Sequence, residues 1–239
     1  MFLLSSHIRL AARIVVTSLL IVSGAVYSKG ISVQSTRVIY PLDSHQQSTS
    51  VRNTSPTDTY MVQSWVENAD GNKSHDFVVT PPLYVSAPGN ENTLRIMRVG
   101  GTPPQDRESL YYFVVKAIPS IDDSKNDSNK SVIRIAAATR MKLLVRPANL
   151  TPGLEKAPAE LSFHRSGNQM EVVNPTPYYL TLTGIKVAGK NVEGILAPPK
   201  SSIRVNLPTG ASNSIIFSTI NDYGAITPAI TAPLTHSAE

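Results

Sequence analysis

The residues best suited to chemistry in this sequence are four cations within one apolar segment, SVIRIAAATRMKLLVRP, at residues 131–147. Arg134, Arg140 and Lys142 interrupt the run, and Arg146 closes it. Cationic side chains can bind an anionic group through charge-assisted hydrogen bonds. The ligand that these cations would bind is therefore an anion. To form a site for it, the element that carries the cations must hold them in place.

Composition narrows the classes of function that this chain can have. Once residues 1–28 are set aside, 20 basic and 17 acidic side chains remain, a net charge of +3. This modest excess suits an anionic group on a partner and is weak evidence for nucleic-acid binding. No cysteine is present, which excludes thiol catalysis and thiolate metal sites.

No arrangement of residues in the sequence predicts catalysis. The histidines are scattered, and no pair has the spacing of metal ligands. GxSxG, the P-loop and GxGxxG are all missing. Asp122, Asp123 and Asp127 lie in a polar loop without the spacing of a calcium loop. The sequence therefore predicts neither an enzyme nor a metal site nor a cofactor.

The element that carries the cations is predicted to be a long strand at residues 132–145. Fourteen residues at about 3.3 Å each span about 46 Å, whereas typical strands have five or six residues. Its length is explained if the strand bends between sheets, or if its first half leaves its own sheet and exposes an edge to a partner. By strand parity Ile133, Ile135 and Ala137 share one face, and the cations share the other with Ala136 and Ala138. Ordinary core packing with a solvated basic face is the alternative.

The rest of the chain predicts an all-β protein of two domains. From Ile31 onward, about seven strand-like runs are separated by turns over about 115 residues, as in an immunoglobulin-like sandwich. The segment PANLTPGLEKAPAE is rich in proline and reads as a linker. The strand pattern then resumes for about 85 residues. We expect domains at residues 29–148 and 149–239, with no repeat visible at the level of sequence identity.

The N-terminal segment has the layout of a secretory signal peptide. Arg9 and Arg13 precede an apolar stretch at residues 14–26, which is too short to span a bilayer because a spanning helix needs about 20 residues. Small residues follow, and we expect cleavage after Ser28. A membrane anchor is the alternative. Export to the periplasm would leave the fold to depend on packing, since there is no disulfide.

Five stretches of the sequence, in order, resemble one family. RMKLLVRP is similar to the KLxxRP ending of the long strand in periplasmic pilus chaperones, the PapD-like family of the chaperone–usher pathway. PPQDRESLYYFVVKAIP resembles that family's DRES signature. STRVIYP, EVVNPTPYYLTL and TINDYGA resemble its first strand, its second-domain NPTPYY segment and its NDYG ending. The matches span residues 33 to 225.

The resemblance implies two immunoglobulin-like β-sandwich domains arranged as a boomerang around a cleft, with no enzyme activity, cofactor or small-molecule substrate. It implies pilin subunits as partners. Each lacks its last strand, and the chaperone donates its own strand before delivery to an outer-membrane usher. Matched by position, the donated residues are Ile133, Ile135 and Ala137, of which Ala137 is smaller than the residue common there. The short charged loop at residues 120–131 resembles that of the family's short-loop branch.

The resemblance also assigns roles to the charged residues. Arg37 and Lys142 match the pair that binds the subunit's C-terminal carboxylate. Glu108, Arg146 and Asp222 match an ionic network between the domains, with a plain surface salt bridge as the alternative. Arg134 and Arg140 are left as solvated cations.

Three functions remain in competition. The first is a periplasmic chaperone for fimbrial subunits. With this function, self-association of the subunit-free protein through the same edge stays open. The second is an exported pilus structural subunit or adhesin, which would usually carry a cysteine pair and an N-terminal donor extension. The third is a secreted β-sandwich enzyme, for which no nucleophile and base are found.

Overall fold

The computed structural model describes residues 29–120, 135–210 and 212–236. The predicted signal peptide at residues 1–28, the charged loop, Ile133 and Arg134 lie outside the described residues. No helix within the described ranges is long and apolar enough to cross a bilayer.

The described residues of the first domain form nine strands, two more than the sequence predicted. They are β1 (Ile31–Val33), β2 (Arg37–Pro41), β3 (Gln46–Asn53), β4 (Tyr60–Asn68), β5 (Phe77–Thr80), β6 (Leu83–Ser86), β7 (Glu91–Arg98), β8 (Ser109–Pro119) and β9 (Ala137–Arg146). The predicted break at Pro81–Pro82 separates β5 from β6, because proline cannot donate to a ladder.

These strands form two sheets that enclose one core. The first sheet has the order β1-β3-β7-β5, and the second has the order β2-β9-β8-β4-β6. Alternate residues of each strand point inward, so that Tyr40, Val62, Phe113 and Leu143 are fully buried between the sheets. The other face of the second sheet carries Arg37, Lys142 and Arg140.

The second domain has its own core and, in the part that the structure describes, eight strands. After a short 3-10 helix at Ala157–Glu160 come β10 (Ser162–Ser166), β11 (Gln169–Asn174), β12 (Leu180–Val187), β13 (Lys190–Asn191), β14 (Ile195–Ala197), β15 (Ser201–Asn206), β16 (Ser214–Thr219) and β17 (Ile230–His236). They form one curled sheet of order β13-β12-β16-β17-β10-β11-β15, with β14 paired to β12. The rings of Phe163 and Phe217 pack at its centre, with their centroids 5.1 Å apart.

The predicted all-β fold of two domains is confirmed. Buried residues of the first core extend to Val145, and those of the second begin at Ala157. The proline-rich linker lies between them. The boundary between residues 148 and 149 stays a prediction.

Candidate functional site

The candidate site is built on β9, which is held differently at its two ends. Along one side β9 pairs with β8 over its whole length, from Ala137 opposite Ala117 to Val145 opposite Ser109. Along its other side it pairs with β2 only from Lys142 to Arg146. Among the described residues, no strand lies beside the second side of β9 at residues 137–141.

This arrangement limits which part of the predicted long strand could leave its own sheet. From Ala137 onward β9 stays in its sheet, because the ladder to β8 continues to Ala137. Within the part of the chain that the structure describes, the strand begins at Ala137, and the predicted start at Val132 lies outside the described residues. An edge is exposed all the same, since the second ladder stops at Lys142.

Two of the predicted donor residues, Ile135 and Ala137, lie beside an open gap. Ala137 lies opposite the buried Ala117 and is exposed, and Ile135 is 77% exposed. With Thr139 they border an open gap of about 290 Å³ against Gly30 and Tyr60. An apolar row at an unpaired edge is the arrangement needed for the addition of a strand from a partner.

Two cations lie at the point where the free edge ends. Arg37 is the first residue of β2 and lies directly opposite Lys142 in the parallel ladder. Arg37 Nη1 donates to the carbonyl of Ile220 at 3.0 Å, while its buried Nε has no protein partner among the described residues. Lys142 is half-buried and makes no hydrogen bond or ion pair with the residues that the structure describes.

The electrostatics of this pair favour an anion. Burial lowers the pKa of Lys142, and the neighbouring charge of Arg37 lowers it further. The pKa of Arg37 is also lowered by burial, although Asp222 and Glu108 act in the opposite direction. Both pKa values decrease because charge here is poorly solvated, so a bound carboxylate would compensate the cost.

An ionic network joins the two domains beside these cations. Arg146 Nε lies 2.6 Å from Glu108 Oε1, and its two terminal nitrogens lie 2.6 and 2.8 Å from the carboxylate of Asp222. Glu108 also accepts from the backbone N–H of Tyr179 at 2.8 Å. The structure therefore brings Glu108, Arg146 and Asp222 together.

The side chains of this ionic network are partly buried. Burial raises the pKa of Glu108, although Arg146 opposes the rise. Burial acts against the charged form of Arg146, but the hydrogen bonds to Asp222 and the charge of Glu108 raise its pKa. Losing one partner would leave a poorly solvated charge, which is costly.

Sequence reasoning missed further contacts between the domains. Lys200 Nζ lies 2.7 Å from Asp106, and the backbone N–H of Glu108 donates to the carbonyl of Pro177 at 2.8 Å. Gly224 packs so closely against Thr36 that a Cβ would overlap the Thr36 hydroxyl. The DRES and NPTPYY motifs supply Asp106, Glu108 and Pro177, half of these residues, but a motif does not state which contacts it makes.

A cavity of about 520 Å³ lies between the domains beside the network. Its lining is mostly apolar and includes Leu144, Leu154, Tyr179 and Ile230, with Arg37 at its border. In the described ranges no three His, Cys, Asp or Glu side chains are placed to hold a metal ion.

Within the described ranges, the fold and the site together define a two-domain immunoglobulin-like protein with a free strand edge that ends at two cations without an ion-pair partner. Two family profiles match it: the N-terminal domain of the PapD pili and flagellar-assembly chaperones at residues 30–151, and the C-terminal domain of the PapD pili assembly chaperones at residues 156–231. The chain belongs to this family of pilus-assembly chaperones.

Similar proteins from the same family have fimbrial names. The chaperone protein FimC of Escherichia coli is 46% identical over 203 residues, covering 84% of this chain and 83% of FimC. The probable fimbrial chaperone SfmC of Escherichia coli is 41% identical over 216 residues, 90% of this chain and 93% of SfmC.

Solved structures agree with this fold. The periplasmic chaperone SfaE is 41% identical, with a TM-score of 0.74 over 84% of this chain and 98% of SfaE. The SafB chaperone of Salmonella enterica, solved in complex with the SafA pilin, is 30% identical, with a TM-score of 0.77 over 88% of this chain and 99% of SafB.

Proposed function

We propose that this protein is a periplasmic chaperone that binds fimbrial subunits by donor-strand complementation and delivers them to an outer-membrane usher. The observation that carries the proposal is the edge of β9 at residues 137–141, which is free among the described residues and ends at Arg37 and Lys142, two cations with no ion-pair partner there. The named relatives, all chaperones, favour this function over that of a pilus subunit or adhesin.

The geometry of the edge specifies how a subunit strand would lie. β2 runs parallel to β9 and begins at Arg37. A strand added beside residues 137–141 would lie on the same side of β9 as β2 and would end where β2 begins. If that strand runs parallel to β9, its C-terminal end arrives at Arg37 and Lys142. The two cations would attract a terminal carboxylate and repel a terminal ammonium. They therefore favour the parallel orientation and set the register.

Donated side chains would supply the apolar contacts. Ala137 lies on the face of β9 that continues the core, and Ile135 lies two residues before it, whereas the third predicted donor residue, Ile133, lies outside the described residues. Main-chain hydrogen bonds give such a complex its affinity, and alternate side chains fill pockets of the partner. Ala137 is small, so its pocket contact is shallow.

The proposed role is binding, without catalysis and without a cofactor. The network of Glu108, Arg146 and Asp222 would hold the two domains at the angle that aligns the edge with the cations. Export through a signal peptide at residues 1–28 would bring the protein to the periplasm, where the named relative SfaE is a chaperone.

Delivery to an usher needs a surface that a bound subunit leaves free. Such a surface lies at the opposite edge of the same sheet, on β4 and β6, where Met61, Leu83 and Val85 are 37%, 51% and 66% exposed. Exposed apolar patches of this kind mark interaction sites. We assign this patch to the usher because β9 is at the other side of the sheet.

Subunit capture tests the proposal directly. The protein is co-expressed in the periplasm with a fimbrial subunit, and the subunit recovered with the chaperone is measured. We expect Lys142→Ala to weaken binding about 10- to 100-fold, because it removes a charge-assisted bond worth about 1.5–3 kcal/mol. Arg37→Ala should act in the same direction, with an added cost from its bond to the Ile220 carbonyl.

The control is Arg95→Ala, which removes an exposed cation from β7 in the other sheet. A reciprocal variant extends the subunit by two alanines, which moves its carboxylate past the cations. Equal recovery of subunit with all chaperone variants and with the extended subunit would contradict the carboxylate anchor.

A further inference from the structure

One cation near the anion site is held in a way that the sequence did not suggest. Arg140 lies over the ring of Tyr112, with its guanidinium carbon 3.3 Å from the ring centre. Its Nε donates to Glu67 Oε2 at 2.8 Å, and Trp65 Nε1 donates to Glu67 Oε1 at 3.0 Å. Arg140 therefore has partners that the sequence did not predict, although its side chain is 42% exposed, as expected for a cation on a solvated face. Both oxygens of Glu67 are occupied, and its side chain is only 16% exposed.

The register of the sheet places Glu67 in line with Lys142. Glu67 lies opposite Tyr112, and Tyr112 lies opposite Lys142 on the next strand. Two strand spacings separate the Cα atoms of Glu67 and Lys142, which is about 10 Å. All three side chains lie on the outer face of the sheet. A Glu and a Lys side chain can meet across that distance, yet the two form no ion pair here.

The carboxylates on the other side of the anion site are held in a similar way. The charges of Glu108 and Asp222 act to raise the pKa of Arg37, but both carboxylates bind Arg146. Each of the three carboxylates around Arg37 and Lys142 is thus bound by an arginine that lies outside the pair. This leaves the pair without an internal counter-ion among the described residues.

We propose that Arg140 is a positioning residue that, with Trp65, holds Glu67 away from Lys142 and so keeps Lys142 free for a partner's carboxylate. The inference rests on the proposed function of the Arg37–Lys142 pair. An internal carboxylate competes at high effective concentration, because it needs no association step. A Glu67 released from Arg140 would keep only the hydrogen bond from Trp65 in a largely buried position. It would pair with Lys142, because this half-buried lysine gains more from a counter-ion than the exposed Lys73 next to Glu67.

The test measures the pKa of Lys142 by NMR titration of its side-chain nitrogen in the whole protein. Arg140→Ala should raise this pKa by about 1, since an opposite charge at contact distance favours the charged form. The double variant Arg140→Ala/Glu67→Gln should return the pKa to the wild-type value. Arg95→Ala is the control and should leave it unchanged. Subunit recovery should fall in the single variant and be restored in the double variant.

Two results would overturn the inference. One is an unchanged pKa of Lys142 in Arg140→Ala, as would follow if Lys73, whose backbone pairs with Glu67 on the other side, took the released carboxylate. The other is a pKa that stays raised in the double variant, which would mean that only the repulsion from Arg140 had been lost. If the proposed function fails instead, no variant captures subunit, but the titration still distinguishes these results.

Discussion

At the scale of single residues, Asn53 closes a turn through its side chain. The two hydrogens of its buried amide nitrogen are shared among the carbonyls of Asp58, Ser86 and Ala87 at 2.8 to 3.1 Å, and its oxygen accepts from the N–H of Ser55. One side chain therefore satisfies four backbone groups at the end of β3. Buried backbone groups need such partners.

Asn174 has the same role at the end of β11. Its amide donates to the carbonyls of Tyr178 and Ala197 and accepts from the N–H of Thr176. The local sequences NTSP and NPTP share an Asn followed two positions later by Ser or Thr and then Pro. Although no repeat is visible over the whole chain, the two domains use the same turn.

We expect Asn53→Ala to destabilise the first domain by about 3 kcal/mol, because it leaves several buried backbone groups without a partner. Urea unfolding followed by fluorescence measures this, since the only tryptophan, Trp65, lies in that domain. Asn72→Ala, at an exposed asparagine, is the control and should change stability by less than about 0.5 kcal/mol. Equal effects of the two substitutions would contradict this role for Asn53.

At the scale of elements, one sheet carries both proposed partner surfaces at opposite edges. Its strand order, β2-β9-β8-β4-β6, places the free part of β9 near one edge and β6 at the other. Period-two alternation lets each strand bury one face while the other faces a partner. A subunit on β9 therefore leaves β6 accessible.

Val85→Glu should abolish delivery to the usher and preserve subunit capture, since a charge in the exposed apolar patch opposes its burial by a partner. Periplasmic subunit recovery and the number of surface pili measure the two steps separately. Val78→Glu is the matched control, because Val78 is 45% exposed on β5 of the other sheet. Loss of pili in both variants, or loss of subunit capture in Val85→Glu, would argue against this assignment.

At the scale of the whole molecule, the domains are joined by contacts from distant parts of the chain. Gly224 has a φ of +84° and approaches Thr36 more closely than any side chain would allow. The same turn carries Asp222 to Arg146. Glycine is required here both for the backbone conformation and for the close contact.

Gly224→Ala should therefore alter the arrangement of the domains and lower subunit recovery, while the unfolding of each domain changes by about 1 kcal/mol or less. Small-angle X-ray scattering measures the arrangement. Gly71→Ala is the matched control, because Gly71 has a φ of +90° but nothing within 4 Å of the position that a Cβ would take. A scattering profile that changes equally in the two variants would show that backbone strain, and not the contact with Thr36, is responsible.

Much of this molecule could be predicted from the sequence alone. Alternation and turn residues are local signals, so they indicated the strands, the break at Pro81–Pro82 and the linker between two β domains. The motifs around Arg37, Glu108, Lys142, Arg146 and Asp222 placed those residues in one family. Strand parity also set Ile135 and Ala137 on one face.

Only the tertiary structure decided which of these residues meet and which remain free. The pairing of β9 with β2 stops at Lys142, and this defines the exposed edge, but hydrogen bonding between strands distant in sequence leaves no local pattern. Glu67 and Arg140 lie 73 residues apart in the sequence, so their contact depends on the register of the two ladders between their strands. The charges of this site were readable in the sequence, whereas their pairing was a property of the fold.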